Sequence, residues 1–282
     1  MENKKLKDLL IRTASGAVLL IIVVGALLLS KWSAVALFAV IMLGGLAEFY
    51  KLCQKRDYKP VYVIGVAASL VLCCNYAVIL FNGSDKILFV AALFMLLVLL
   101  LVPMTFVTEL WRKSETPIAN VATTFMGVLY VSYPMSVVMY IPYLLVDDWN
   151  PWIMLAFVSI IWINDVFAYL VGVSIGKHRL CERISPKKSW EGFFGGLIGA
   201  VGAAVLFGHL FGGNLYIWGG LGVVTALAGV AGDLVESMMK REAGVKDSGS
   251  IIPGHGGFLD RFDALFMAVP FAFVYLMLVM SI

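Results

Sequence analysis

Three features predict an all-α, polytopic integral membrane protein with about nine transmembrane helices, N-terminus in and C-terminus out. The chain is 61% hydrophobic and 14% charged, whereas soluble domains are roughly 45–50% apolar and 25% charged. Apolar runs of about 20 residues, the length a helix needs to cross a bilayer core, recur from end to end. Lys and Arg collect in alternate connections, as they do in cytoplasmic loops.

Taken in order, the predicted spans are about 12–30, 33–52, 60–82, 87–107, 119–144, 151–175, 190–212, 214–236 and 263–282. The first has a basic start, but its apolar run exceeds the roughly 7–15 residues of a signal-peptide core. No small-x-small cleavage site follows it, so it reads as an uncleaved helix. The seventh and eighth meet at "FGGNLY", where Gly212, Gly213 and Asn214 supply a turn. With the N-terminus inside, the inside connections "MENKKLKDLLIR", "KLCQKRDYK", "ELWRKSE", "GKHRLCERISPKK" and residues 237–262 are all basic. The outside connections hold only Lys31 and Lys86.

Residues 1–144 thus supply about five transmembrane helices. Residues 145–282 form a C-terminal catalytic transmembrane region with polar cytoplasmic loops at 176–189 and 237–262. Cys53, Cys73, Cys74 and Cys181 lack metal-ligand spacing and read as small buried apolar residues.

Four polar groups interrupt this apolar plan. Asn164 and Asp165 lie inside the sixth span, where a lipid-facing carboxylate costs at least about 2.5–3.5 kcal/mol. They are either a hydrogen-bonded interhelical pair or the polar wall of a site open to the inside face, and the basic loop that follows favours the site. In that loop, "SPKKSWEG" puts Lys187 and Lys188 beside Ser189, a predicted N-cap, at a helix N-terminus suited to anions such as phosphate. Topology alone also accounts for the basic charge.

Further on, Asp233, Glu236, Ser237 and Lys240 share one helix face, and Gly229 and Gly232 permit close packing. A carboxylate there needs Lys240, Arg241 or a metal ion as partner. Last comes "KDSGSIIPGHGGFLDRFDALF". In a helix starting near Phe258, Asp260 and Asp263 project to one side and repel unless a cation lies between them, while Arg261 points elsewhere. Mg²⁺ suits such a pair, being held by one or two carboxylates plus water and substrate phosphates. Gly254, Gly256 and Gly257 let the backbone approach a ligand closely. His255 among them is either a phosphate or proton contact or an ordinary loop hydrogen-bonder. Acidic groups for a divalent cation, interleaved with Lys240, Arg241, Lys246 and Arg261, are the mixture that phosphoryl or nucleotidyl transfer requires.

"SMMKREAGVKDSGSIIPGHGGFLDRFD", Ser237 to Asp263, resembles throughout the signature of the phosphatidate cytidylyltransferases, the CDP-diacylglycerol synthases. The pattern is Ser-x-x-Lys-Arg, four residues, Lys-Asp, and later Pro-x-His-Gly-Gly-x-x-Asp-Arg-x-Asp. "GKHRLCERISPKKSWEG" is similar to a second block of that family. The chain departs from a frequent Asp-Ser-Gly-Ala-Tyr pattern in reading Asp165, Val166, Phe167, Ala168 and Tyr169, a bulkier set that works against close backbone approach.

The resemblance implies transfer of CMP from CTP to phosphatidic acid with Mg²⁺, and K⁺ as an associated monovalent ion, at the cytoplasmic face of a bacterial-type inner membrane. It implies Asp233 and Asp260 as first metal ligands, supported by Asp263 and Asp247. Lys240, Arg241, Lys246 and Arg261 would hold phosphates, and His255 would be a secondary member of the catalytic set. Asp165, Lys187, Lys188, Ser189, Ser237, Gly256 and Gly257 would line the substrates. No nucleic-acid partner is expected, and a homodimer stays open. Three alternatives stay open: a related cytidylyltransferase for another lipid or isoprenoid phosphate, an ion-coupled transporter of phosphorylated solute, and a non-catalytic membrane scaffold, which would leave the paired carboxylates unexplained. Against the transporter stand the missing repeat symmetry and the gathering of charge at one face.

Overall fold

The computed structural model describes residues 2–82, 87–146, 148–252, 254 and 256–280. Each predicted apolar run becomes helical: α1 (Glu2–Leu29), α2 (Lys31–Gln54), α3 (Tyr62–Asn82), α4 (Ile87–Arg112), α5 (Pro117–Gly127), α6 (Tyr133–Val137), α7 (Tyr140–Val146), α8 (Pro151–Ile175), α9 (Trp190–Leu210), α10 (Leu215–Glu242) and α11 (Leu259–Met280). Among the described residues seven helices are long and apolar enough to cross a membrane, or eight if one bent pair counts as a span.

That pair corrects the fifth predicted span. Instead of one helix over 119–144, the chain forms Pro117–Val137 and Tyr140–Val146, bent by 41°, with a π-helical stretch at Val128–Ser132. Pro134 and Pro142 fall on either side of the break, where each removes a backbone donor. The third span, expected over 60–82, is the helix α3 (Tyr62–Asn82). The last span begins earlier than 263, so Asp260 and Asp263 both lie in the first turns of α11. The all-α expectation also needs one addition. Within loop 176–189, β1 (Arg179–Cys181) pairs antiparallel with β2 (Ser185–Ser189). The cysteines are all free, but Cys74 is exposed and the other three are only half-buried, not buried as expected.

Two compact units emerge from the packing. The first comprises Met1–Leu20, Val35–Ser136 and Glu242–Arg261. Its helix ends are pinned by polar groups: the Asn120 side chain accepts from Lys59 N–H (2.7 Å) and donates to Glu109 (2.9 Å), and Arg112 donates to the Lys59 carbonyl (2.9 Å). Tyr50 is fully buried and donates to the Thr124 carbonyl at 2.7 Å.

The second unit comprises Ile21–Ala34, Val137–Arg241 and Phe262–Ile282. Asn150 caps α8, accepting from Trp152 N–H at 3.0 Å. The α8/α9 contact is made by glycines spaced at helical period. A Cβ on Gly192 would stand 2.7 Å from the Ala168 carbonyl oxygen, one on Gly196 2.8 Å from the carbonyl oxygen of Asn164, and one on Gly199 2.6 Å from the Phe167 ring. Small residues on α9 therefore restore the close approach that Val166 and Phe167 were expected to hinder.

Candidate active site

In the second unit, carboxylates from three helices gather round one lysine. Lys188 leaves the end of β2 and its Nζ meets Asp233 Oδ2 on α10 at 2.5 Å. Asp165 on α8 and Asp263 on α11 each lie within electrostatic reach of both Asp233 and Lys188. Ser237, one turn beyond Asp233, donates to Asp233 Oδ1 at 3.3 Å. The close crossing of α10 and α11 produces this gathering. A Cβ on Gly232 would stand 2.5 Å from the Asp263 carbonyl oxygen, and one on Gly229 would make ordinary contact with Ala264 at 3.6 Å.

The sequence left Lys240, Arg241 or a metal as the partner of this acidic face. The structure gives Asp233 to Lys188, while Lys240 pairs with the buried Glu236 at 2.6 Å.

The hairpin that delivers Lys188 is tied down by Glu191, which the sequence reading passed over. Its carboxylate accepts from the N–H groups of Lys177 (3.1 Å) and His178 (3.2 Å) and meets His178 Nδ1 at 2.6 Å. Ser189 is buried and caps α9 as predicted, accepting from Gly192 N–H at 3.1 Å. Lys187 is exposed on β2.

In the first unit, the glycine-rich segment folds round Asp260. Its Oδ2 accepts from Ser248 N–H (2.9 Å), Ser248 Oγ (2.9 Å) and Gly257 N–H (2.8 Å). Gly254 and Gly256 adopt φ of +73° and +85°, where a side chain would be strained, and Ile252 N–H reaches the Gly256 carbonyl at 2.9 Å. Asp260 therefore shapes its own loop, a role the sequence did not suggest. Arg241, Lys246, Asp247 and Arg261 are exposed. His255 lies outside the described residues.

Among the described residues, no three or more His, Cys, Asp or Glu side chains form a metal-holding group. The donor chemistry nonetheless fits a hard divalent cation. The neighbouring donors are carboxylate and hydroxyl oxygens, and such an ion needs only one or two carboxylates when substrate phosphates complete its shell.

A family model described as the cytidylyltransferase family matches residues 10–279. The chain belongs to the cytidylyltransferase family. It is similar to proteins named phosphatidate cytidylyltransferase. Identity is 48% over 132 residues with one from Haemophilus influenzae, covering 44% of this chain and 46% of the relative. For one from Staphylococcus aureus it is 50% over 113 residues, covering 39% and 44%. For one from Mycobacterium bovis it is 41% over 133 residues, covering 47% and 43%. The chain thus spans just under half the length of each of these relatives.

Proposed function

We propose that this cytidylyltransferase-family chain transfers CMP from CTP to phosphatidic acid, giving CDP-diacylglycerol and pyrophosphate. The observation that carries this reading is the meeting of Lys188 with Asp233, with Asp165 and Asp263 in reach, on helices long and apolar enough to cross a membrane. The relatives' shared name supports the choice of substrates.

A phosphate oxygen of phosphatidate attacks the α-phosphorus of CTP in line. The new P–O bond forms as the bond from the α-phosphorus to the bridging oxygen breaks, and that electron pair leaves with pyrophosphate. The nucleophile is already an anion near pH 7, so no strong general base is needed, and catalysis rests on positioning and charge neutralisation. Lys188, with Lys187 beside it, meets phosphate oxygens at the N-terminus of α9. Lys240, Arg241, Lys246 and Arg261 supply further positive charge, and Asp165 and Ser237 border the substrates. Asp233 and Asp263 would hold Mg²⁺, which when bound neutralises developing charge on phosphate oxygens. The resemblance puts Asp260 with Asp233 as first ligands and Asp263 and Asp247 in support, with K⁺ as the proposed monovalent companion.

Nine spans with the N-terminus inside and the C-terminus outside would set these residues at the cytoplasmic face of an inner membrane. The basic inside connections support that orientation. There CTP arrives from water, and phosphatidate keeps its acyl chains in the leaflet.

The deciding experiment supplies purified protein with CTP, phosphatidate and Mg²⁺ and follows pyrophosphate release with and without EDTA. Release that EDTA abolishes is expected, and its absence from folded protein overturns the reading. Because no strong base is required, His255→Ala should keep far more activity than Asp260→Ala, which also strips three hydrogen bonds from the loop. Equal and complete losses in two folded variants would reverse that ordering.

A further inference from the structure

Glu48 lies in the last turns of α2, an apolar helix, yet it is 0% exposed. A carboxylate buried in such surroundings is costly unless its hydrogen bonds compensate. All those found for Glu48 come from the segment that carries the glycines and the start of α11. Its Oε2 accepts from Leu259 N–H at 2.9 Å, one of the free donors of the α11 N-terminus. It also faces Ser248 Oγ at 3.1 Å.

The same Ser248 hydroxyl stands 2.9 Å from Asp260 Oδ2. One hydroxyl proton thus lies between two carboxylates, so Glu48 and Asp260 grip the segment through a shared residue.

The backbone is moulded to this carboxylate. A Cβ on Gly249 or Gly257 would land on Glu48, whose side-chain atoms are the three nearest at each position. One turn earlier on α2, a Cβ on Gly44 would meet the Phe258 ring, with its Cγ at 2.9 Å. Gly44 and Glu48 therefore present one helix face shaped to receive residues 248–259.

We propose that Glu48 is a positioning residue for cytidylyl transfer: it fixes Ser248, Gly257 and Leu259 so that Asp260 is held in its working orientation. This inference rests on the activity proposed above. It gives the N-terminal half of the chain a part in the chemistry, although Glu48 itself touches no substrate.

The test uses the full chain in detergent or nanodiscs, with hydrogen exchange of peptides covering 248–259 measured beside kcat and KM for CTP. Glu48→Gln keeps the shape but removes the charge. It is expected to speed exchange in that segment alone and to lower kcat about 10- to 100-fold, with KM changed less. Ser248→Ala should move both readouts in the same direction by a smaller factor.

Gly257→Ala should lose activity because its methyl meets Glu48, and adding Glu48→Ala should relieve part of that loss. A folded Glu48→Gln protein with wild-type exchange and wild-type kcat overturns the proposal. So does a Gly257→Ala loss that Glu48→Ala leaves unchanged, an arm that still decides the matter if Glu48→Gln fails to fold. If the wild-type chain releases no pyrophosphate, the cytidylyltransferase reading fails by itself, and the exchange measurements still decide whether Glu48 grips the segment.

Discussion

Asp233→Asn should abolish CTP-dependent pyrophosphate release, lowering it by about 10³-fold or more, which corresponds to about 4 kcal/mol in the barrier. The substitution keeps the volume of the side chain and an oxygen that can accept from Ser237. It removes the charge that faces Lys188 and weakens the oxygen donor proposed to hold Mg²⁺. Stability should barely move, because both partners of the Lys188 ion pair are partly exposed, with side chains 26% and 38% accessible, and such pairs contribute only about 0–1 kcal/mol.

The contrast between these magnitudes makes the test decisive. A large loss of turnover at near-constant melting temperature assigns Asp233 to chemistry. Lys188→Met should show a smaller loss, since the exposed Lys187 and Arg241 remain as proposed phosphate contacts. A folded Asp233→Asn enzyme within tenfold of wild type would remove Asp233 from the metal-holding role.

What the sequence disclosed here follows the range over which its signals act. Apolar runs and the FGGNLY turn are local, and each run is helical in the structure, the fifth as a bent pair. The Ser189 cap and the use of Gly232 in close packing were likewise readable, because capping and small-residue periodicity depend on near neighbours.

The partner of Asp233 was not readable in this way. Helical spacing pointed to Lys240 or Arg241, but a hairpin from another part of the chain brings Lys188 there instead, and Lys240 serves Glu236. Glu48 was hidden for the same reason, since its serine partner lies 200 residues away along the chain. Its only local signal was a single acid near the end of an apolar run, beside a Lys51 that made it look like an ordinary cytoplasmic helix end.

The glycines of the second unit show how an apolar scaffold sets this chemistry. Without a hydrophobic driving force between helices in lipid, close backbone approach and van der Waals contact bring them together. On α9 the glycines receive Phe167, Ala168 and Asn164, and this seats α8, with Asp165 on it, against α9, which begins two residues after Lys188. On α10 the glycines receive the first turns of α11. The carboxylate gathering is therefore a consequence of where side chains are missing as much as of where charges are present.

A paired substitution on α10 tests that account. Gly232→Ala should cost about 1–3 kcal/mol by overpacking, because its methyl would stand 2.5 Å from the Asp263 carbonyl oxygen and 3.1 Å from the Asp263 carbonyl carbon. Backbone cannot yield as a flexible side chain can, so α11 must move away from α10 at the residue that places Asp263 beside Asp233. Melting temperature should fall by about 5 °C, and pyrophosphate release should fall by about 10²-fold or more, since displacements near 1 Å at a reacting centre have that effect. Gly229→Ala, one turn earlier on the same helix, meets only the Ala264 side chain at an ordinary 3.6 Å. It should leave stability and turnover close to wild type, gaining helix propensity at little steric cost. Thermal unfolding and turnover measured on both variants separate the cases: equal effects at 232 and 229 would mean that helix approach at Gly232 does not set the distance between the two carboxylates.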